Sequence, residues 1–135
     1  MRLRERWVGM GVAGHRVEFF IPAPACSCAG PVSLREAEKL SRLEVLMSKV
    51  EERFPSAEIT RYSMADDRGY TEGLARLAAY LSRAGEEDFA SRVAFSLRYV
   101  LPAVAVDGRL VAYGRVPDLE EVEQAVETGR VRREE

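Results

Sequence analysis

From His15 to Ile21 the chain carries Val17, Phe19, Phe20 and Ile21 as a nearly continuous apolar run. That is the pattern of a strand covered on both faces. Pro22 and Pro24 end it. From Ser33 the period lengthens: Leu34, Ala37, Leu40, Leu43, Met47, Val50 and Phe54 step by three or four. This predicts a long amphipathic helix, opened by Ser33 and Glu36 in capping-box spacing and stopped by Pro55. Glu58 to Met64, with Ile59, Tyr62 and Met64, reads as a second strand. After a turn at Asp66-Asp67-Arg68-Gly69 come two helical stretches, Thr71 to Ala84 and Glu86 to Tyr99, with Gly85 as the C-cap between them. They read as two helices or one bent helix.

Val104 to Val106 and Leu110 to Val116 flank Asp107-Gly108. This is the favoured two-residue turn of an antiparallel hairpin, because both turn positions need positive φ. Asp118 and Glu121 open a last helix bearing Leu119, Val122 and Val126, and Gly129 closes it. The order is β-α-β-α(α)-β-β-α. β-α-β crossing favours a parallel pair, the hairpin adds antiparallel strands, and two-sided strands need helices on both faces. The expectation is an α/β sandwich around a four-stranded mixed sheet. An N-terminal arm (1–14) precedes one domain (15–129), and a charged tail (130–135) follows.

Composition narrows the function classes. At 135 residues, 47% hydrophobic and 31% charged, the chain suits one folded domain rather than a disordered segment. No apolar stretch is long enough to span a membrane, and a net charge of −2 argues against a general nucleic-acid partner. One histidine excludes a His-rich metal site. Two cysteines exclude a disulfide-dense scaffold and a four-thiolate cluster within one chain. Of 20 basic residues only Lys39 and Lys49 are lysine, Asn is absent, and Gln124 is the sole glutamine. Such depletion of amides fits a heat-adapted source, and a GC-rich genome explains the arginines equally well.

Two N-terminal patterns are decoys. Gly9, Gly11 and Gly14 spell the dinucleotide fingerprint, but a strand follows where a helix N-terminus is required. Arg2, Arg4 and Arg6 precede an apolar stretch, Trp7 to Ala13, that is too short and glycine-broken for a signal peptide. The expected location is cytoplasmic.

The chemistry gathers at Cys26-Ser27-Cys28, directly after the first strand, and at Leu101-Pro102, directly before the hairpin. Cysteines after the first strand and a proline opening the third resemble the thioredoxin superfamily over roughly residues 16 to 127. The resemblance implies a three-layer thioredoxin-like α/β/α sandwich with a cis Pro102 against the cysteines. The cysteine loop and the Leu101-Pro102, hairpin, Gly114-Arg115 run look closest to the arsenical-resistance metallochaperone family. Two features depart from pattern. The thioredoxin spacing is C-x-x-C, whereas this chain has C-x-C without a preceding tryptophan, and the metallochaperones use three cysteines where this chain has two.

By this resemblance Cys26 is the attacking thiol and Cys28 the resolving one. Pro102 shapes the groove, and Ser27 and Leu101 line it for substrate. A disulfide across a single residue closes a constrained ring, and strain makes a disulfide more oxidising. The leading expectation is a small thiol–disulfide oxidoreductase with no cofactor, acting on protein or low-molecular-weight disulfides and thiols. One alternative is a carrier of As(III) or Cu(I) held by Cys26 and Cys28, since paired thiolates favour soft ions. The other is a catalytically silent interaction module, because free cysteines are often buried and inert. His15 reads as a lead-in residue far in sequence from any partner. Asp66 and Asp67 read as solvated turn acids, Arg132 and Arg133 as tail charges, and Tyr62, Tyr80 and Tyr99 as packing aromatics with wet hydroxyls. The sequence does not set the oligomeric state.

Overall fold

A computed structural model describes residues 14–23 and 34–129. The elements are β1 (Arg16–Ile21), α1 (Leu34–Arg53), β2 (Glu58–Ser63), α2 (Asp67–Arg83), α3 (Glu87–Ser91), α4 (Val93–Val100), β3 (Ala103–Val106), β4 (Arg109–Tyr113) and α5 (Leu119–Thr128). The sheet order is β2-β1-β3-β4. β2 runs parallel to β1, while β3 runs antiparallel to both β1 and β4. This is a mixed four-stranded α/β sheet with the layout of a thioredoxin-like sandwich.

β1 occupies the interior of the sheet, and its side chains alternate between two cores. On one face Val17 and Phe19, with Val104, Val106 and Val111, pack against Leu43, Met47 and Val50 of α1 and Val122 and Val126 of α5. On the other face Phe20, Ala103, Ala105 and Leu110 pack against Leu77, Tyr80 and Leu81 of α2 and Val100 of α4. Phe20 stacks on Tyr62 at 5.3 Å between ring centroids and meets Tyr80 edge-on at 6.1 Å. The three layers follow from β1 being apolar on both sides.

The hairpin is built as its sequence dictates. Asp107 (φ 50°) and Gly108 (φ 84°) both lie in the left-handed region. Asp118 caps α5, with its own N–H donating to the Glu121 carboxylate at 3.1 Å.

Two local expectations are corrected. Asp66-Asp67-Arg68-Gly69 is the start of α2 rather than a free turn. The Asp66 carboxylate accepts the Gly69 N–H at 2.6 Å, and the Tyr70 N–H donates to the Asp66 carbonyl at 2.9 Å. An N-cap whose side chain satisfies an orphan N–H starts a helix there. The second difference lies between Glu86 and Tyr99, where the helix breaks at Arg92, with φ −130° and ψ 44°. The chain therefore turns between α3 and α4, and the Ser96 hydroxyl donates back to the Arg92 carbonyl at 3.0 Å.

Gly69 sits so close to β2 that an added Cβ would lie 2.2 Å from the Ser63 carbonyl oxygen. Helix propensity alone favours Gly→Ala by about 1 kcal/mol. Gly69→Ala is nevertheless expected to destabilise the fold by about 1–3 kcal/mol, because backbone must shift to admit the methyl. Urea unfolding of the variant checks this, with a lower midpoint as the expected result.

Candidate functional site

The site is framed by the C-terminal end of β1 and the start of β3. Antiparallel pairing sets Phe20 opposite Ala103. One step further along that register, Pro102 stands at the level of Ile21, where β1 ends. The Leu101–Pro102 peptide bond is cis. Both side chains are buried, and the Leu101 N–H donates to the Leu97 carbonyl at 3.0 Å as α4 ends. The chain leaves β1 through Pro22 to an exposed Ala23 and re-enters at Leu34, the first residue of α1. Cys26, Ser27 and Cys28 fall between them, outside the described residues, as do Arg132 and Arg133, Gly9 and Gly11, and the arginines of the arm.

Gly114 fastens this end of the sheet. Its N–H points at two carbonyls, Val100 at 3.0 Å and Pro102 at 2.9 Å. Its own carbonyl accepts from Lys39 Nζ of α1 at 3.3 Å. The residue has φ 76°, and a Cβ would lie 2.6 Å from the Tyr99 carbonyl oxygen, so glycine is required on both counts. This contact draws α4, β3, β4 and α1 together around Pro102.

Beside it Arg115 grips Glu121 with both terminal nitrogens, at 3.0 and 2.7 Å. Glu121 is almost fully buried, and the Arg115 hydrogen bond holds its carboxyl down at about 2, against the opposing effect of burial. A two-point guanidinium–carboxylate pair combines charge with fixed geometry.

The sequence reading missed Glu18. It faces the α2 side of β1 and is fully buried. The Tyr80 hydroxyl donates to one carboxylate oxygen at 2.7 Å. The Tyr62 hydroxyl and Arg76 reach the other at 3.3 and 3.4 Å. Burial first, and then the neighbouring Glu18 carboxylate, raise both phenols above the usual tyrosine value. The available signal was an acid inside V-E-F-F-I, where a two-sided strand has no solvent to offer it. Tyr62 and Tyr80 therefore do not have wet hydroxyls, whereas Tyr99 is exposed.

His15 leads into β1 as expected, and its partner is distant in sequence. Its Nδ1 lies 2.8 Å from Asp107 Oδ2, and Asp107 Oδ1 accepts the Arg16 N–H at 2.9 Å. The hairpin turn folds back onto the start of β1, bringing residues 92 apart in sequence together. This pair belongs to the opposite end of β1 from Pro102. Asp66 is a helix cap, and no group of His, Cys, Asp and Glu fit to hold a metal ion occurs among the described residues. Among those residues, no helix is long and apolar enough to cross a membrane.

No protein-family model matches the chain, and no curated protein matches it. Among solved structures it is similar to the crystal structure of an arsenical resistance operon trans-acting repressor from Bacteroides vulgatus ATCC 8482. The two share 20% identity over 82% of this chain and 91% of that one, with a TM-score of 0.45. A likeness at that level carries no argument about what this chain does.

Two stability predictions follow from the buried carboxylates. Tyr80→Phe removes the shorter donor to Glu18 and is expected to cost about 1–3 kcal/mol in urea unfolding, more than Tyr62→Phe. Glu121 has a folded-state value near 2 against 4.5 when free. Its contribution is therefore present above the unfolded value and disappears as pH falls toward the folded one. Unfolding free energy should fall between about pH 5 and pH 2 by on the order of 3 kcal/mol from this group. Arg115→Ala should flatten that part of the profile and lower stability at neutral pH.

Proposed function

We propose that this chain is a small thiol–disulfide oxidoreductase of thioredoxin type, working through a Cys26/Cys28 couple beside Pro102. The observation that carries the reading is the meeting of the two ends: Pro102 opens β3 at the level where β1 ends, five residues before Cys26. Ser27 and Leu101 complete the substrate contact in this reading.

The reaction is a two-electron exchange. The Cys26 thiolate attacks one sulfur of a substrate disulfide, forming a mixed disulfide and expelling the other sulfur as a thiolate. Cys28, deprotonated, then attacks the Cys26 sulfur, releases the second substrate thiolate and leaves Cys26–Cys28 oxidised. An external dithiol returns the pair to its reduced form. The rate follows the thiolate fraction and nucleophilicity of the attacking thiol and the leaving ability of the departing one. No cofactor enters this scheme.

A second reading draws on the resemblance to arsenical-resistance metallochaperones. The Gly114 N–H bonded to the Pro102 carbonyl brings the Gly-Arg and Leu-Pro pairs of that resemblance to one place. Two thiolates there would carry a soft ion such as As(III) or Cu(I), with a third ligand from an outside thiol or a second subunit.

The test is thiol alkylation with mass readout across a graded thiol/disulfide series. A reversible two-thiol transition, with slope near about 30 mV per tenfold change, is the expected result. Cys26→Ser should abolish disulfide reduction, and Cys28→Ser should accumulate the mixed disulfide. Thiols that stay free throughout the series overturn the oxidoreductase reading. Stoichiometric uptake of As(III) or Cu(I) without turnover would install the carrier reading.

A further inference from the structure

The surface of α4 stands apart from the rest of the molecule. Phe95 is 84% exposed and Tyr99 61%, one helical turn apart on the same face. The Arg98 guanidinium lies 5.5 Å from the centroid of the Tyr99 ring. Arg92, one turn before Phe95 and also exposed, marks the other end of the patch.

Charge isolates this face further. From Phe89 to Val106 the sequence holds no acidic residue, although Asp and Glu number 22 in the chain. Arg16, Arg53, Arg61, Arg68, Arg76 and Arg115 each face a carboxylate. Among the described residues, Arg92 and Arg98 have none. Lys39, Arg83 and Arg109 meet backbone carbonyls instead. Arg42 and Lys49 also lack a carboxylate among those residues, but Arg92 and Arg98 are the ones that flank the exposed rings. Two neighbouring exposed aromatics beside two arginines without a carboxylate partner form one apolar and cationic patch. Both features ask for the same kind of partner.

We propose that the α4 face is a docking surface for an extended acidic peptide segment with an apolar anchor residue. The anchor packs between Phe95 and Tyr99, and flanking carboxylates meet Arg92 and Arg98. Aromatic and arginine side chains are the residue types that dominate binding energy at such interfaces. α4 runs directly into Leu101–Pro102, so a segment seated here continues toward the Pro102 end of β1. Resting on the oxidoreductase reading, this assigns the substrate class: disulfides in polypeptides, with the cysteine beside an acidic and apolar stretch. A membrane surface is a poorer fit, since an eight-residue helix with one basic group, and a second at its N-cap, falls short of a polybasic, amphipathic anchor.

The experiment measures binding of the full chain to fluorescein-labelled peptides by anisotropy. One peptide carries a Leu-Phe pair flanked by glutamates, and the other has lysines in their place. The glutamate peptide should bind at least about tenfold tighter. Phe95→Ala and Arg98→Glu should each weaken it by about tenfold or more, and added salt should weaken it further. Phe95 is exposed, so Phe95→Ala should retain the thermal unfolding midpoint of the parent. Equal binding of the two peptides, or binding untouched by Phe95→Ala, overturns the proposal. So does binding to phosphatidylglycerol vesicles in place of the peptide, or a dimer in sedimentation that Phe95→Ala dissolves.

Turnover separates this inference from the reading beneath it. With a small aromatic disulfide as substrate, Phe95→Ala should leave the rate unchanged. With the glutamate peptide carrying a disulfide, kcat/KM should fall about tenfold. If neither substrate turns over, the oxidoreductase reading fails while the anisotropy result still decides the docking surface. Equal rates for parent and variant on the peptide disulfide overturn the substrate assignment.

Discussion

The fold depends on one constraint, that β1 is interior to the sheet and apolar on both faces. Phe19 and Phe20 are fully buried on opposite sides of the same strand. Each such side chain stabilises the folded state by about 1.5–3 kcal/mol only while its own layer stays closed. α1 and α5 close one layer, and α2 and α4 close the other. Opening either layer exposes one of the two phenylalanines. Glu18 adds a second demand, because a buried carboxylate without donors would cost more than a phenylalanine contributes. Tyr62, Tyr80 and Arg76 supply those donors and tie β2 and α2 to the strand they cover.

A strand enclosed in this way leaves chemistry only at its ends. At the N-terminal end the hairpin turn holds His15 and the Arg16 N–H through Asp107. At the C-terminal end the chain emerges toward the cysteines, and Pro102 is held through the two carbonyls that share the Gly114 N–H. The contacts around Pro102 join elements distant in sequence, since the Gly114 N–H reaches the Val100 and Pro102 carbonyls and the Gly114 carbonyl accepts from Lys39.

Legibility in the sequence followed the range of the interaction. The hairpin was readable because Asp107-Gly108 is a local solution to a local dihedral demand, and both residues have positive φ. The cap of α5 and the two-sided character of β1 were readable for the same reason: a few neighbouring residues contain the whole argument. Asp66 was misread because Asp-Asp-Arg-Gly serves a turn and a helix start equally well, and the packing of Gly69 against Ser63 decides between them. The break at Arg92 carries no glycine or proline to announce it. Glu18 was the costliest omission. Its donors lie 44, 58 and 62 residues away, and no local pattern links an acid in one strand to tyrosines in a later strand and helix. Of the candidate site, the position of Pro102 is described and the cysteine segment lies outside the described residues.

Charge pairing divides the surface by purpose. Exposed pairs such as Arg68–Glu72 contribute about 0–1 kcal/mol each, so they keep the surface soluble more than they hold the fold. The pairs that reach buried carboxylates, Arg115–Glu121 and Arg76–Glu18, are different in kind, since removing either arginine strands a charge in the interior. Arg92 and Arg98 belong to neither group. They neither neutralise an exposed acid nor satisfy a buried one, and they sit beside the two most exposed aromatic rings among the described residues. Cations without an acid of their own are available to a second molecule, and among these Arg92 and Arg98 are the ones with exposed aromatic rings beside them. Arg92 caps the start of α4 and Arg98 lies in its last turn, three residues before Leu101, which puts that availability near Pro102.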